Sequence, residues 1–166
     1  MRRNNKGFSY VELILVMAII AIMIGLMSLT IGLVSRTNVN KAAEKLHATM
    51  NQARSTSVAR GTTNGTLEIS YDGSTYYYYV GDPTSADKAD KKVELISAPA
   101  QIAYTVEGGT DLIPVGSTFT LRYEQATGAF KAVSGTDYCS TVVIYNGDKS
   151  ATIQLYPATG KCELLY

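Results

Sequence analysis

From Leu13 to Ser35 the chain runs for 23 residues without a charge. As a helix rising ~1.5 Å per residue, that stretch would be about 35 Å long, enough to cross a hydrocarbon core. Arg2, Arg3 and Lys6 precede it with no acid among residues 1–7. That polarity predicts the N-terminus inside and the bulk of the chain outside. A secretory signal fits poorly, because its apolar region should run about 7–15 residues and end in a small-x-small cut site. The run here is longer, and the carboxylate of Glu12 stands at its start. A carboxylate costs about 2.5–3.5 kcal/mol at a bilayer centre and less near an edge, and intramembrane acids are usually paired. Glu12 is therefore expected to have a partner. A cleaved signal, a plain anchor and a specialised anchor processed at its cytoplasmic edge remain the three readings.

The rest of the chain has a different composition. Tyr, Thr, Gly and Asp dominate after the apolar run, so a 166-residue chain that is 46% hydrophobic and only 17% charged is two materials averaged. About a quarter charged is usual for a soluble domain. A net charge of +1 excludes a bulk electrostatic binder of nucleic acid, which needs a basic excess.

The run Lys6-Gly7-Phe8-Ser9-Tyr10-Val11-Glu12-Leu13-Ile14, followed by the apolar stretch, resembles the class III signal of type IV pilins and type II secretion pseudopilins. The resemblance implies that a membrane prepilin peptidase cuts between Gly7 and Phe8 on the cytoplasmic side and that Phe8 is N-methylated. It also implies that Glu12, four residues beyond Phe8, pairs with the Phe8 amine of a neighbouring subunit. An ammonium and a carboxylate offset by one helical turn can neutralise each other between packed helices. Major pilins often carry a Pro midway through this stretch. None is present here, and Gly25 and Gly32 are its only weak helix formers. That departure favours a pseudopilin or minor pilin. The signal also resembles those common in Gram-positive bacteria.

Residues 36–60 read as continued, amphipathic helix. Val39, Ala43, Leu46, Met50, Ala53 and Ser57 recur at alternating steps of four and three, a seam expected to pack on a sheet, with Arg36, Lys41, Glu44 and Lys45 off it. The helix is expected to end near Arg60-Gly61, where Gly can cap it. Strands are predicted at Leu67–Tyr71, Thr75–Val80, Val93–Ser97, Ile102–Val106, Thr118–Tyr123, Ala129–Val133, Thr141–Tyr145, Ala151–Tyr156 and Cys162–Leu165. Asp72-Gly73 and Asn146-Gly147 are hairpin signals, and residues 81–92 form a polar loop. Tyr123-Glu-Gln-Ala-Thr-Gly128 and Tyr156-Pro-Ala-Thr-Gly160 echo each other and read as similar turns. The pattern Leu46-x7-Arg54-Ser55-x2-Val58-x-Arg60-Gly61 followed by Thr66-Leu67, with Thr159-Gly160 near the end, resembles H-type pseudopilins and minor pilins.

Cys139 and Cys162 are the only cysteines, and an even number in an external domain points to a disulfide. Closing that 24-residue loop would stabilise by about 3 kcal/mol in the chain-entropy model. Such a bridge resembles the C-terminal disulfide loop of many type IV pilins; two free buried thiols are the alternative. Tyr76, Tyr77, Tyr78 and Tyr79 alternate across a strand, two facing the core and two facing out. Core packing is the plain reading and an interaction patch the sharper one. His47 reads as a solvated helix residue. Asp82, Asp87 and Asp90 lack the spacing of a calcium loop. Lys88, Lys91 and Lys92 form the only basic cluster, interleaved with acids, and read as a solvated loop rather than a DNA site. No nucleophile–base set, metal cluster or phosphate loop is visible, so neither an enzyme nor a cofactor is expected.

The expected architecture is α+β. A leader (1–7) precedes a transmembrane and filament-core helix (8–35), its amphipathic continuation (36–61) and an antiparallel sheet head (62–166). The resemblance implies a filament subunit of a pilus or secretion pseudopilus. Its partners would be the prepilin peptidase, other pilin subunits and membrane-embedded assembly machinery. The precursor would be a single-pass protein with its head outside, later a surface or periplasmic filament. A tip subunit whose head binds DNA, a surface or a secreted substrate is the alternative function, and a lone anchored domain is a third.

Overall fold

A computed structural model of the chain describes residues 10–106, 109–133, 135 and 137–165, with the backbone alone over 25–37. The chain divides into two units, Met1–Ser35 and Arg36–Tyr166. Helix α1 (Tyr10–Arg60) contributes to both.

In the first unit every described side chain of α1, from Tyr10 to Ile24, is exposed, and Glu12 is the only charge among them. Among the described residues no helix is long and apolar enough to cross a membrane. The charge-free run continues into 25–37, whose side chains lie outside the description, as do Gly7 and Phe8.

The second unit is α+β and antiparallel throughout. Among the described residues nine strands follow the helix: β1 (Leu67–Tyr71), β2 (Thr75–Val80), β3 (Val93–Ser97), β4 (Gln101–Val106), β5 (Gly109–Leu112), β6 (Thr118–Leu121), β7 (Cys139–Asn146), β8 (Lys149–Tyr156) and β9 (Lys161–Leu165). They form two sheets, β3-β2-β1-β6 and β5-β4-β7-β8-β9, where the sequence suggested one. The division arises because β6 pairs with β1 while β4 pairs with β5 and β7, so β6 does not join its chain neighbour.

The helical seam is buried as its spacing requires. Val39, Ala43, Leu46, Met50, Ala53 and Ser57 each have no exposed surface, and Ala42 and Thr49 widen the stripe. Its apolar members join one core with Leu67, Ile69, Leu121, Ile102, Ile144 and Ile153 from both sheets. Thr49 satisfies its buried hydroxyl by donating to the Lys45 carbonyl (2.7 Å). Gly61, at φ +97°, stops the helix, and its N–H closes onto the Ser57 carbonyl (2.9 Å).

Two segments differ from expectation. Residues 129–133 make no strand. Phe130 forms only a bridge to Tyr123, and the backbone N–H groups of Phe130 and Lys131 donate to separate partners, Pro157 and Arg122. β5 was not anticipated, because Gly and Asp are poor strand residues and all four of its residues are exposed. It exists as an edge, by pairing with β4.

Candidate functional site

Two places in the molecule carry specialised residues: the start of α1, and the join between the helix and the sheet ends in the second unit.

At the start of α1, Glu12 lies in the first helical turn and is exposed, amid apolar side chains that are exposed on every side. A carboxylate there favours the positive end of the helix dipole. Residues that are apolar around the whole circumference cannot choose a solvated face, so they require lipid or other apolar helices.

At the join, Arg54 lies across two turns. Its Nε donates to the Gly128 carbonyl (3.1 Å). The two Ala-Thr-Gly turns have the same construction. Gly128 N–H donates to Glu124 O (2.8 Å) and Gly160 N–H to Tyr156 O (2.9 Å), each glycine at φ near +70°. Thr127 and Thr159 each accept an N–H two residues on, from Ala129 (3.1 Å) and Lys161 (3.3 Å). The turns touch so closely that a Cβ on Gly160 would overlap the Gly128 carbonyl oxygen, while a Cβ on either would press on Arg54. Position and positive φ together require glycine at both.

His47 is not a solvated residue. Its Nε2–H donates to the Cys162 carbonyl (3.1 Å), tying α1 to β9. Cys139 and Cys162 do not form the expected bridge; both thiols are free and buried. Their strands, β7 and β9, lie on either side of β8. Two strand spacings of about 4.8 Å exceed the roughly 7 Å that a disulfide can span between Cα atoms. Burial pushes the Cys139 thiol up to about 12 and raises that of Cys162 as well. Tyr123, fully buried against Phe130 (ring centroids 4.7 Å), leaves its hydroxyl without a partner among the described residues, and burial raises its phenol strongly.

The four tyrosines do not form one exposed patch. Tyr76 and Tyr78 face the core, in register with Tyr71 and Ile69. Tyr79 faces the other way but is buried by the 81–92 loop, its hydroxyl donating to the Asp82 carbonyl (3.1 Å). Lys45 Nζ sits 5.3 Å from the Tyr78 ring centre. Only Tyr77 remains, half-buried on the outer face.

The 81–92 loop is a folded strap. Lys88 Nζ lies 2.5 Å from Oε2 of Glu68, a buried acid on β1, as an ion pair rather than an aligned hydrogen bond. Lys91 pairs with Asp87 (3.2 Å), so two of the three clustered lysines are already paired. Asp82 holds Thr84 through its side-chain hydroxyl and backbone N–H, and these bonds lower its carboxyl below the ordinary range. Among the described residues no three His, Cys, Asp or Glu side chains converge as metal ligands.

Residues 2–28 match the family model of the prokaryotic N-terminal methylation motif. That motif is the class III signal of type IV pilins and pseudopilins, and it implies prepilin peptidase processing and assembly with other pilin subunits. It fits a membrane-anchored precursor that later enters a filament. No curated protein and no solved structure matches the chain.

Proposed function

We propose that the chain is a minor pilin or pseudopilin, a structural subunit of a type IV pilus or of a secretion pseudopilus. The observation that carries this reading is the methylation motif running directly into a helix whose side chains from Tyr10 to Ile24 are apolar on all sides and broken by one acid, Glu12. Residues 1–7 are the leader, 8–35 the membrane and filament-core helix, 36–61 its continuation in the head, and 62–166 the remainder of the head.

Hydrolysis of the Gly7–Phe8 bond leaves a new amine on Phe8, which is then methylated. Loss of Arg2, Arg3 and Lys6 takes the side-chain charge from +1 to −2. While the subunit waits in the membrane, lipid covers the apolar helix. On assembly, neighbouring helices replace lipid, and Glu12 meets the Phe8 amine of the next subunit. A mismatched register would leave both charges unpaired in a low-dielectric core, which costs several kcal/mol in order-of-magnitude terms. The pair therefore sets the axial step. The proline-free run supports a minor or pseudopilin subunit, and the Arg54 clasp over two Thr-Gly turns supports the H-type pattern.

Intact mass and N-terminal sequencing of the protein from its native membrane test this. A chain beginning at N-methyl-Phe8 is expected. A chain still beginning at Met1 beside an active peptidase would sink the proposal.

A further inference from the structure

A groove follows the outward side chains of β6 and reaches around the edge that this strand makes, and none of the residues discussed above for assembly lines it. It has two lobes, of 520 and 410 Å³, that share Ser117 and Thr118. Both volumes lie in the usual range for ligand pockets, about 300–1,000 Å³. The floor follows from strand alternation: Phe119 and Leu121 turn into the core, so Thr118, Thr120 and Arg122 turn outward. Ser70 extends the floor, opposite Thr118 in the register of β1 and β6. At one end Tyr104, half-buried and stacked at 4.3 Å on the core ring of Phe119, lies beside Arg122. At the other end stand Tyr77 and Lys92.

Most of the outward polar groups of this groove are uncommitted. Among the described residues Ser70, Tyr77, Thr118 and Thr120 have no side-chain hydrogen bond, and Arg122 and Lys92 have no ion pair. Two lining hydroxyls are spent, that of Ser117 on the Pro114 carbonyl (2.7 Å) and that of Tyr71 on the Gly73 carbonyl (2.9 Å). The one lining carboxylate, Asp72, is held by the N–H groups of Ser74 and Thr75 and the Ser74 hydroxyl. A row of free hydroxyls, a half-buried tyrosine at either end and an exposed guanidinium match one ligand chemistry. Hydroxyls exchange bonds with sugar hydroxyls, the Tyr104 and Tyr77 rings can cover apolar sugar faces, and Arg122 can hold a carboxylate by two parallel bonds.

We infer that this groove binds an extended acidic oligosaccharide, with a carboxylate-bearing sugar on Arg122 and the chain running over Thr118 toward Tyr77 and Lys92. Nucleic acid fits less well, since one positive charge in excess across two lobes cannot match a phosphate at every unit. The inference stands apart from the filament reading, because every lining residue lies within Arg36–Tyr166 and N-terminal processing leaves the groove unchanged.

The test uses the full chain in detergent micelles, with fluorescent hexagalacturonate as the probe and binding followed by polarisation. Competitors are the carboxyl-reduced neutral hexasaccharide, a hexanucleotide and an extended peptide that could pair along β6. Hexagalacturonate is expected to bind and to resist all three competitors. Arg122→Gln should weaken binding at least tenfold, Arg122→Lys should recover only part of it, and paired Thr118→Val and Thr120→Val should weaken it without changing the melting temperature. Absence of binding, an Arg122→Gln affinity equal to the parent's, or equal competition by the neutral sugar, the nucleotide or the peptide would each overturn the inference.

Discussion

The two halves of α1 solve the same physical problem in opposite ways. From Val39 to Ser57 the apolar and small residues fall on one stripe, and each of the six seam residues is fully buried by the chain's own sheets. From Tyr10 to Ile24 apolar residues lie all round and every one is exposed. The difference shows that hydrophobic content alone does not place a helix. Periodicity decides whether a chain can bury the helix itself or must leave it to lipid or neighbours.

The sharpest way to break that comparison is a matched pair of truncations. Leu46→Ala empties a site in a sealed core and is expected to cost about 2–5 kcal/mol. Ile20→Ala removes a side chain that this chain does not cover, and should change head stability by less than about 0.5 kcal/mol. Chemical denaturation of the full chain in micelles, followed by near-ultraviolet tyrosine dichroism, measures both. Equal losses would mean that the first half also packs on the head.

A second pair separates the strap from ordinary surface charge. Lys88→Ala leaves Glu68 buried without its cation. Breaking a fully buried pair costs about 3–5 kcal/mol, and less is expected here because the Lys88 side chain is 28% exposed. Lys92→Ala, which breaks no ion pair among the described residues, should stay within about 0.5 kcal/mol. If Lys88→Met combined with Glu68→Leu is less stable than Lys88→Ala alone, an uncompensated charge is not the cause.

Between these in kind is the clasp. Arg54→Ala frees the Gly128 carbonyl and removes the guanidinium from two packed turns, for an expected loss of about 1–3 kcal/mol. Arg54→Lys should not restore it, since the Nε donor and the planar fork are both lost.

Much of this was legible from residues. The seam of α1 was visible as spacing, three strands have the expected limits, and the two Thr-Gly turns were recognisable as alike. What was not legible depends on long-range pairing. Nothing local says that β6 returns to β1, and so nothing local separates one sheet from two. The strap between β2 and β3 covers Tyr79 and Glu68 on the face away from the core, where strand alternation by itself gives no reason for burial. β5 left only the Gly108-Gly109 pair as a trace. The disulfide expectation counted cysteines by compartment, whereas the order β7-β8-β9 decides their separation. At the N-terminus the case is reversed: the motif is sharp in the sequence, while Gly7 and Phe8 lie outside the described residues.

The thiols give a smaller effect with a clear direction. A thiol raised to about 12 is almost wholly protonated at pH 8, so Cys139 should resist alkylation until the head unfolds. Cys162, also raised, should follow it. Intact mass after native and denaturing alkylation reads the outcome. Native labelling at either site, or a mass lacking two hydrogens, would contradict the buried free thiols.

The smallest effect belongs to a polar turn, and it isolates what the head organises without apolar burial. Asp72 accepts the N–H groups of Ser74 and Thr75, both at 2.8 Å, and these bonds hold its carboxyl below the ordinary value of 3.8. A lowered folded value means that the charged form stabilises the native head. That contribution is fully present above 3.8 and is lost as pH falls from there through the folded value. The Asn146-Gly147 hairpin has no titrating group at the matching position and serves as the internal control. Asp72→Asn keeps an acceptor oxygen but cannot titrate. Its melting temperature should therefore fall less steeply than the parent's as pH is lowered below 3.8. Hydrogen exchange at Thr75 should lose its acid dependence in the variant, while exchange at Lys149 in the second hairpin stays the same in both proteins. An unchanged Thr75 profile would show that the β1–β2 turn is held by its strands alone, with Asp72 as a passenger.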